Sequence, residues 1–144
     1  MTLETLPKPV LFAHRGAKAH APENTLSSFR LAVEHGADAI ELDVKLTADG
    51  EVVVLHDATL DRTTNGHGLL KDHSFAQVRA LDAGSWFSAD FAGEKVPTLA
   101  EVFEAVGQQF FINIELTNYT TPRDALVEKV VDLVRQYHME ESVL

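Results

Sequence analysis

The sequence predicts an α/β fold built on a mostly parallel sheet. Short apolar runs alternate with amphipathic helical stretches, and several of those runs end in charged or imidazole residues. One connection, around Asp49-Gly50, is too short for a parallel return and adds an antiparallel strand.

The first strand is Val10 to Ala13, delivering His14-Arg15-Gly16 to its exit. A loop containing Pro22 follows, then Asn24 or Thr25 as N-cap and a helix with Leu26, Phe29 and Val33 on one face, closed by Gly36. Ala37 to Val44 reads as the second strand and Val52 to Leu55 as its hairpin partner. With Asp49 and Gly50 as a two-residue loop, Asp43 faces His56; a bulge would put Glu41 there instead. The stretch 59–97 lacks sustained periodicity and reads as a long excursion with one short helix near Ser74 to Leu81. Thr98-Leu-Ala-Glu101 is a capping box opening a helix with Leu99, Val102, Phe103 and Val106, ended by Gly107. Phe110 to Leu116 is a strand, and Thr121-Pro122-Arg-Asp124 opens a helix carrying Leu126, Val130, Leu133, Val134 and Tyr137. Val143 and Leu144 start a further strand, so the chain is expected to be a partial sequence.

The chain has 144 residues, and 12 Lys+Arg against 22 Asp+Glu give a formal charge of −10. That length fits one domain, and 45% hydrophobic residues with 24% charged exclude a disordered chain. The acidic balance argues against nucleic acid, whose phosphates are held by clustered Lys and Arg. With no cysteine, disulfides, thiolate metal sites and a cysteine nucleophile are excluded. No stretch approaches the ~18 apolar residues of a membrane span, which leads us to expect a cytoplasmic protein without a stable membrane anchor.

Three strand ends carry the candidate chemistry. Glu41 and Asp43, two apart on a strand, share one face while Ile40, Leu42 and Val44 take the other. Glu115 lies in a strand otherwise of Phe, Ile and Leu, with Asn113 on its face. Three carboxylates facing one interior repel unless a cation neutralises them, and an oxygen-only set suits Mg²⁺ or Ca²⁺. His14 and His56 beside such a cation point to a general acid and base, and Arg15 to a bidentate clamp on an anionic oxygen. Together these groups specify phosphoryl or phosphodiester chemistry. Plainer readings exist: His14-Arg15 also fits an ordinary strand end, and Glu41 and Asp43 fit the wet face of an antiparallel sheet. His20, His35, His67, His73 and His138 read as surface groups, and Trp86 as a substrate wall or a pin for its loop.

An ordered set of motifs extends this reading: Ala13-His-Arg-Gly16, Pro22-Glu-Asn-Thr25, Gly36-Ala-Asp38, Ile40-Glu-Leu-Asp-Val44, Thr47-Ala-Asp-Gly50, Val54-Leu-His-Asp57, Leu60-Asp-Arg-Thr-Thr-Asn-Gly66, Gly84-Ser-Trp-Phe87, Val96-Pro-Thr-Leu99 and Asn113-Ile-Glu-Leu116. From Val10 onward the sequence resembles the glycerophosphodiester phosphodiesterase family. The resemblance implies a TIM-type (β/α) barrel, here its N-terminal five strands or so over 1–144, with 59–97 as a small inserted subdomain. It further implies metal-dependent hydrolysis of glycerophosphodiesters to glycerol 3-phosphate and an alcohol. On this reading His14 and His56 match the acid/base pair, Arg15 the phosphate contact, and Glu41, Asp43 and Glu115 the ligands of one divalent cation, Mg²⁺ or Ca²⁺. Where many members carry a lysine, two positions after the third carboxylate, this chain has Thr117. The expected partner is a small glycerophosphodiester, with self-association or a missing C-terminal half completing the barrel. The alternatives are a lysophospholipase D-like lipid phosphodiesterase and a non-catalytic phosphate- or metal-binding half barrel.

Overall fold

The computed structural model describes residues 2–107, 109–118, 121 and 123–144. Among them, strands and α-helices follow in the order β1 (Phe12–His14), α1 (Leu26–Glu34), β2 (Ala39–Leu46), β3 (Val52–Val54), α2 (Phe75–Ala80), α3 (Leu99–Val106), β4 (Phe111–Leu116) and α4 (Leu126–Gln136). The α/β class expected from the alternating runs is the class observed.

Strand β2 organises the sheet. It pairs in parallel with β1 and with β4, and antiparallel with β3. β1 and β3 succeed one another along the same edge of β2: the Glu41 carbonyl accepts from the Arg15 N–H at 2.9 Å and the Asp43 carbonyl from the Leu55 N–H at 2.9 Å. The Val44 carbonyl faces the other edge, accepting from the Thr117 N–H beyond β4 at 3.2 Å. Val143 bridges Ile112 in parallel, and the Leu144 N–H donates to the Ile112 carbonyl at 2.9 Å, so the expected further strand does start beside β4.

Several boundaries differ from the sequence reading. β1 begins at Phe12, not Val10, because the Leu11 N–H is taken by the Asp38 carboxylate at 2.8 Å. β2 starts two residues later than expected and runs on to Leu46. The hairpin loop holds three residues, Ala48 to Gly50, because Thr47 N–H donates to the Glu51 carbonyl at 3.0 Å and Gly50 closes the turn at φ 82°. Val44 therefore pairs with Val54, Asp43 meets Leu55, and neither Asp43 nor Glu41 faces His56 across the pairing. Helix α4 begins at Leu126, later than Thr121, where the Asp124 carboxylate accepts the Leu126 N–H at 3.1 Å and the Thr121 hydroxyl at 2.6 Å. Pro122 lies outside the described residues.

The alternation on β2 separates core from site. Ile40, Leu42 and Val44 are fully buried against Phe29 and Ala32 of α1, Leu99, Val102 and Phe103 of α3, and Leu126 and Val130 of α4. Each such aliphatic contributes about 1.5–3 kcal/mol on burial. β3 divides likewise: Val52 and Val54 join this core, while Val53 joins Leu55, Leu60, Leu70, Val78, Ala83 and Val96 in a second cluster. That second cluster packs much of 59–97 against the sheet. Its turns are pinned by Asp82, whose carboxylate accepts the Gly84, Ser85 and Gly93 N–H groups at 2.8 Å each and is thereby held well below the usual carboxylate range. The Trp86 indole donates to the Ala83 carbonyl at 2.9 Å, the arrangement of an aromatic that pins its own loop.

Helix starts follow the capping residues. Thr25 accepts the Ser28 N–H at 3.3 Å, and Gly36 ends α1 at φ 74°. At α3 the Thr98 hydroxyl accepts the Glu101 N–H at 3.1 Å and the Glu101 carboxylate accepts the Thr98 N–H at 2.8 Å. Arg79 of α2 reaches the same carboxylate at 2.5 Å. Thr98→Ala is expected to lower stability by about 1 kcal/mol, read as a lower urea midpoint with unchanged slope. An unchanged midpoint would show that this cap contributes nothing. Among the described residues, no helix is long and apolar enough to cross a membrane.

Candidate active site

The chain leaves β1 through a constrained turn. Arg15 adopts φ 57° and Gly16 φ 80°, both left-handed. A non-glycine residue held there costs about 1–3 kcal/mol, and surrounding bonds must impose it. The Arg15 N–H points at Glu41, 2.9 Å from its carbonyl and 3.1 Å from Oε2, while the Arg15 carbonyl accepts from the Asn24 N–H at 3.0 Å and the Ser28 hydroxyl at 2.9 Å. A Cβ at Gly16 would overlap Ser28 Oγ and stand 2.8 Å from the Ser28 carbonyl carbon.

This turn lays Arg15 over the carboxylate face of β2. Asp43, fully buried, lies 3.4 Å from Arg15 Nε and accepts from the Asn24 side-chain amide at 2.9 Å. Glu115 is in register with Asp43 across β2 and β4. Glu41, Asp43 and Glu115 each present a carboxylate oxygen, and these three oxygens lie within 4.8 Å of one another. Burial, and then the neighbouring Asp43 charge, push the Glu41 pKa up.

Among the described residues, four buried side-chain atoms lack a hydrogen-bond partner, and all belong to this site: Arg15 Nε, Asn24 Oδ1, Glu41 Oε1 and Asp43 Oδ1. Unmet carboxylate oxygens in an oxygen-only cluster fit a hard divalent cation. Because the Glu41 pKa is raised on folding, its stabilising protonated form is lost as pH rises through that raised value, and ionised Glu41 then opposes the fold. Added Mg²⁺ or Ca²⁺ is therefore expected to raise the thermal midpoint more at neutral pH than in acid, and Glu115→Gln to remove most of that gain. Equal gains at both pH values, or an unaltered gain in the variant, would contradict this cation site.

His14 is exposed, with Nε2 3.6 Å from Glu41 Oε2. Lys18 Nζ lies 3.0 Å from Nδ1 and donates to it, leaving the neutral ring's proton on Nε2. Partial burial of the ring, then the Lys18 and Arg15 charges, lower its pKa. His14, Arg15, Glu41, Asp43 and Glu115 are thus gathered at one end of the sheet. His56 joins through a longer route. Its Nδ1 lies 2.7 Å from Asp57 Oδ1, Asp57 is held by Arg62, and Arg62 is held by Glu23, which also accepts from Arg15 Nη1 at 3.1 Å. Hydrogen bonds from Arg62, outweighing burial, keep the Asp57 carboxyl well below its ordinary range. Burial acts to raise Glu23, but Arg62 and Arg15 together lower it.

Sequence reasoning gave no site role to Glu23, Lys45 or Arg62, and read Asn24 only as a candidate N-cap, whereas its side-chain amide donates to Asp43. Lys45, next on the Glu41 and Asp43 face, hydrogen-bonds the Thr117 hydroxyl, so an ammonium reaches that position from β2. The available signal was their place in or beside the quoted runs Pro22-Glu-Asn-Thr25, Ile40-Glu-Leu-Asp-Val44 and Leu60-Asp-Arg-Thr-Thr-Asn-Gly66.

The sequence profile of the glycerophosphoryl diester phosphodiesterase family matches residues 14–140. The chain belongs to this family. It is 47% identical over 138 residues to a glycerophosphodiester phosphodiesterase of Caldanaerobacter subterraneus subsp. tengcongensis, a match covering 95% of the chain and 57% of that family member. A crystal structure of the Agrobacterium tumefaciens glycerophosphodiester phosphodiesterase superposes with a TM-score of 0.84 at 43% identity, over 92% of this chain and 55% of that one. An Oleispira antarctica phosphodiesterase, solved in complex with the product sn-glycerol-3-phosphate, superposes with a TM-score of 0.87 at 38% identity, over 93% of this chain and 54% of that one. The chain thus spans about half the length of the family members it matches.

Proposed function

We propose that this chain carries the catalytic half of a divalent-metal-dependent glycerophosphodiester phosphodiesterase, releasing glycerol 3-phosphate and an alcohol. The observation that carries the reading is the meeting of Glu41, Asp43 and Glu115 within 4.8 Å, beneath Arg15 and beside His14. Family membership over 14–140 supports it, as does the product named for the Oleispira antarctica structure. The barrel is a TIM-type one of which 1–144 supplies the first strands, with 59–97 as a small inserted subdomain packed on Val53 and Leu55 through the second apolar cluster.

Glu41, Asp43 and Glu115 would hold the cation, Mg²⁺ or Ca²⁺, which supplies charge neutralisation at a phosphoryl oxygen when bound. Arg15 would contact a second non-bridging oxygen, its guanidinium oriented by Glu23 and Asp43. Of the two imidazoles, one takes the proton from the attacking hydroxyl as the new P–O bond forms. The other gives a proton to the alcohol oxygen as the old P–O bond breaks. Attack by water gives glycerol 3-phosphate directly, whereas attack by the substrate's own glycerol hydroxyl expels the alcohol and closes a cyclic phosphate that water then opens; both fit this division of labour.

The deciding experiment is release of glycerol 3-phosphate from glycerophosphocholine by the purified chain, with divalent metal and again with chelator. Metal-dependent release is expected. Binding of glycerol 3-phosphate or metal without any turnover would instead favour a non-catalytic half barrel. Faster hydrolysis of acylated substrates would favour a lipid phosphodiesterase.

A further inference from the structure

His56 stands apart from the carboxylate cluster, and the side chains that join it to Arg15 are all charged. Arg62 lies at the centre of that connection. Its Nε and Nη2 donate to Asp57 Oδ2 and Oδ1 at 2.8 and 2.9 Å, and its Nη1 and Nη2 donate to Glu23 Oε2 and Oε1 at 3.0 and 2.8 Å. One planar guanidinium therefore forks onto two carboxylates, a geometry no other side chain can reproduce. Asp57 Oδ1, fixed by one arm of that fork, lies 2.7 Å from His56 Nδ1.

We infer that Arg62 is a positioning residue that sets the tautomer of His56 through Asp57 and ties it to Arg15 through Glu23. An ionised carboxylate can only accept, so the neutral His56 ring must carry its proton on Nδ1 to bond Asp57. Nε2 is left with its lone pair, the form a proton acceptor needs, and the ring is held by its other nitrogen. Glu23, with a side chain only 11% exposed, receives Arg15 and Arg62 together, so the guanidinium proposed for phosphate and the imidazole proposed for proton transfer share one anchor. Arg62 belongs to 59–97, whereas Glu23 lies between β1 and α1. The excursion thereby acquires a role in orienting a reacting group, beyond covering one end of the sheet.

The kinetic part of this inference rests on the function proposed above; the tautomer part does not. The test is a long-range proton–nitrogen NMR spectrum of the full chain, with the His56 signals assigned by their loss in His56→Gln. In the wild type at a pH where the ring is neutral, the Nδ1–H form is expected to dominate. In Arg62→Gln, and in Arg62→Lys, which keeps the charge but not the fork, its share should fall toward the free-imidazole mixture. Turnover should fall about 10-fold or more with KM little changed. A wild-type ring protonated on Nε2, or folded Arg62 variants with His56 signals identical to wild type, would overturn the inference. Should Arg62→Gln fail to fold, Arg62→Lys and the wild-type spectrum decide the matter. Tautomers that respond to Arg62 while His56→Gln leaves turnover intact would keep the relay and remove His56 from the proposed reaction.

Discussion

Replacing His14 or His56 with alanine is expected to lower glycerol 3-phosphate release by about 10²-fold or more, the usual loss for a positioned acid or base. The two rings sit in different electrostatic settings. His14 faces a Lys18 ammonium and the Arg15 guanidinium, and its pKa is lowered. His56 instead faces the Asp57 carboxylate. In each ring Nδ1 is already engaged, by the Lys18 ammonium in His14 and by the Asp57 carboxylate in His56, which leaves Nε2 as the atom available for proton transfer. His14→Ala should also leave the cation-induced rise in thermal midpoint in place, because no His14 nitrogen is needed by the three carboxylates. Near-normal turnover in either variant would remove that residue from the mechanism, and a lost cation response in His14→Ala would make it part of the metal site.

Gly16→Ala should cost stability on the order of 3 kcal/mol, combining a left-handed backbone with a collision. The added methyl meets the Ser28 side chain and carbonyl carbon at a φ of 80°. Relief requires moving the start of α1 away from the turn. Such a shift would break the bonds that the Arg15 carbonyl accepts from Asn24 and Ser28, and with them the placement of Arg15 over Asp43. Denaturant unfolding reads the stability, and glycerol 3-phosphate titration reads the displaced guanidinium. A variant as stable as wild type would show that the turn tolerates a side chain.

The parts of this site that follow a regular period were legible in the sequence. Glu41 and Asp43 alternate with Ile40, Leu42 and Val44, and a strand that buries the latter must turn the former together to the other face. Glu115 stood out because a carboxylate interrupts a run that, Asn113 apart, is otherwise Phe, Ile and Leu. The hairpin register was less accessible: Asp49-Gly50 serves both two- and three-residue loops, and the choice depends on Thr47 bonding Glu51. The surroundings of His56 were hidden for a different reason. Glu23 and Arg62 are 39 positions apart on two loops, where no periodicity relates one side chain to the other. For α4 the boundary turned on a side chain, since Asp124 satisfies the N–H of Leu126 from outside the helix.

The threefold pairing of β2 bears on how this protein opens. Amide exchange reaches a strand bonded along both edges only after its neighbours have detached, so the β2 amides should be among the slowest to exchange. Glu41 and Asp43 ride on that strand, whereas Arg62 and Glu23 ride on loops that exchange through cheaper, local openings. On warming, the Arg62 contacts should therefore release before the carboxylate cluster disperses, leaving a population that still captures cation but no longer aims its second imidazole.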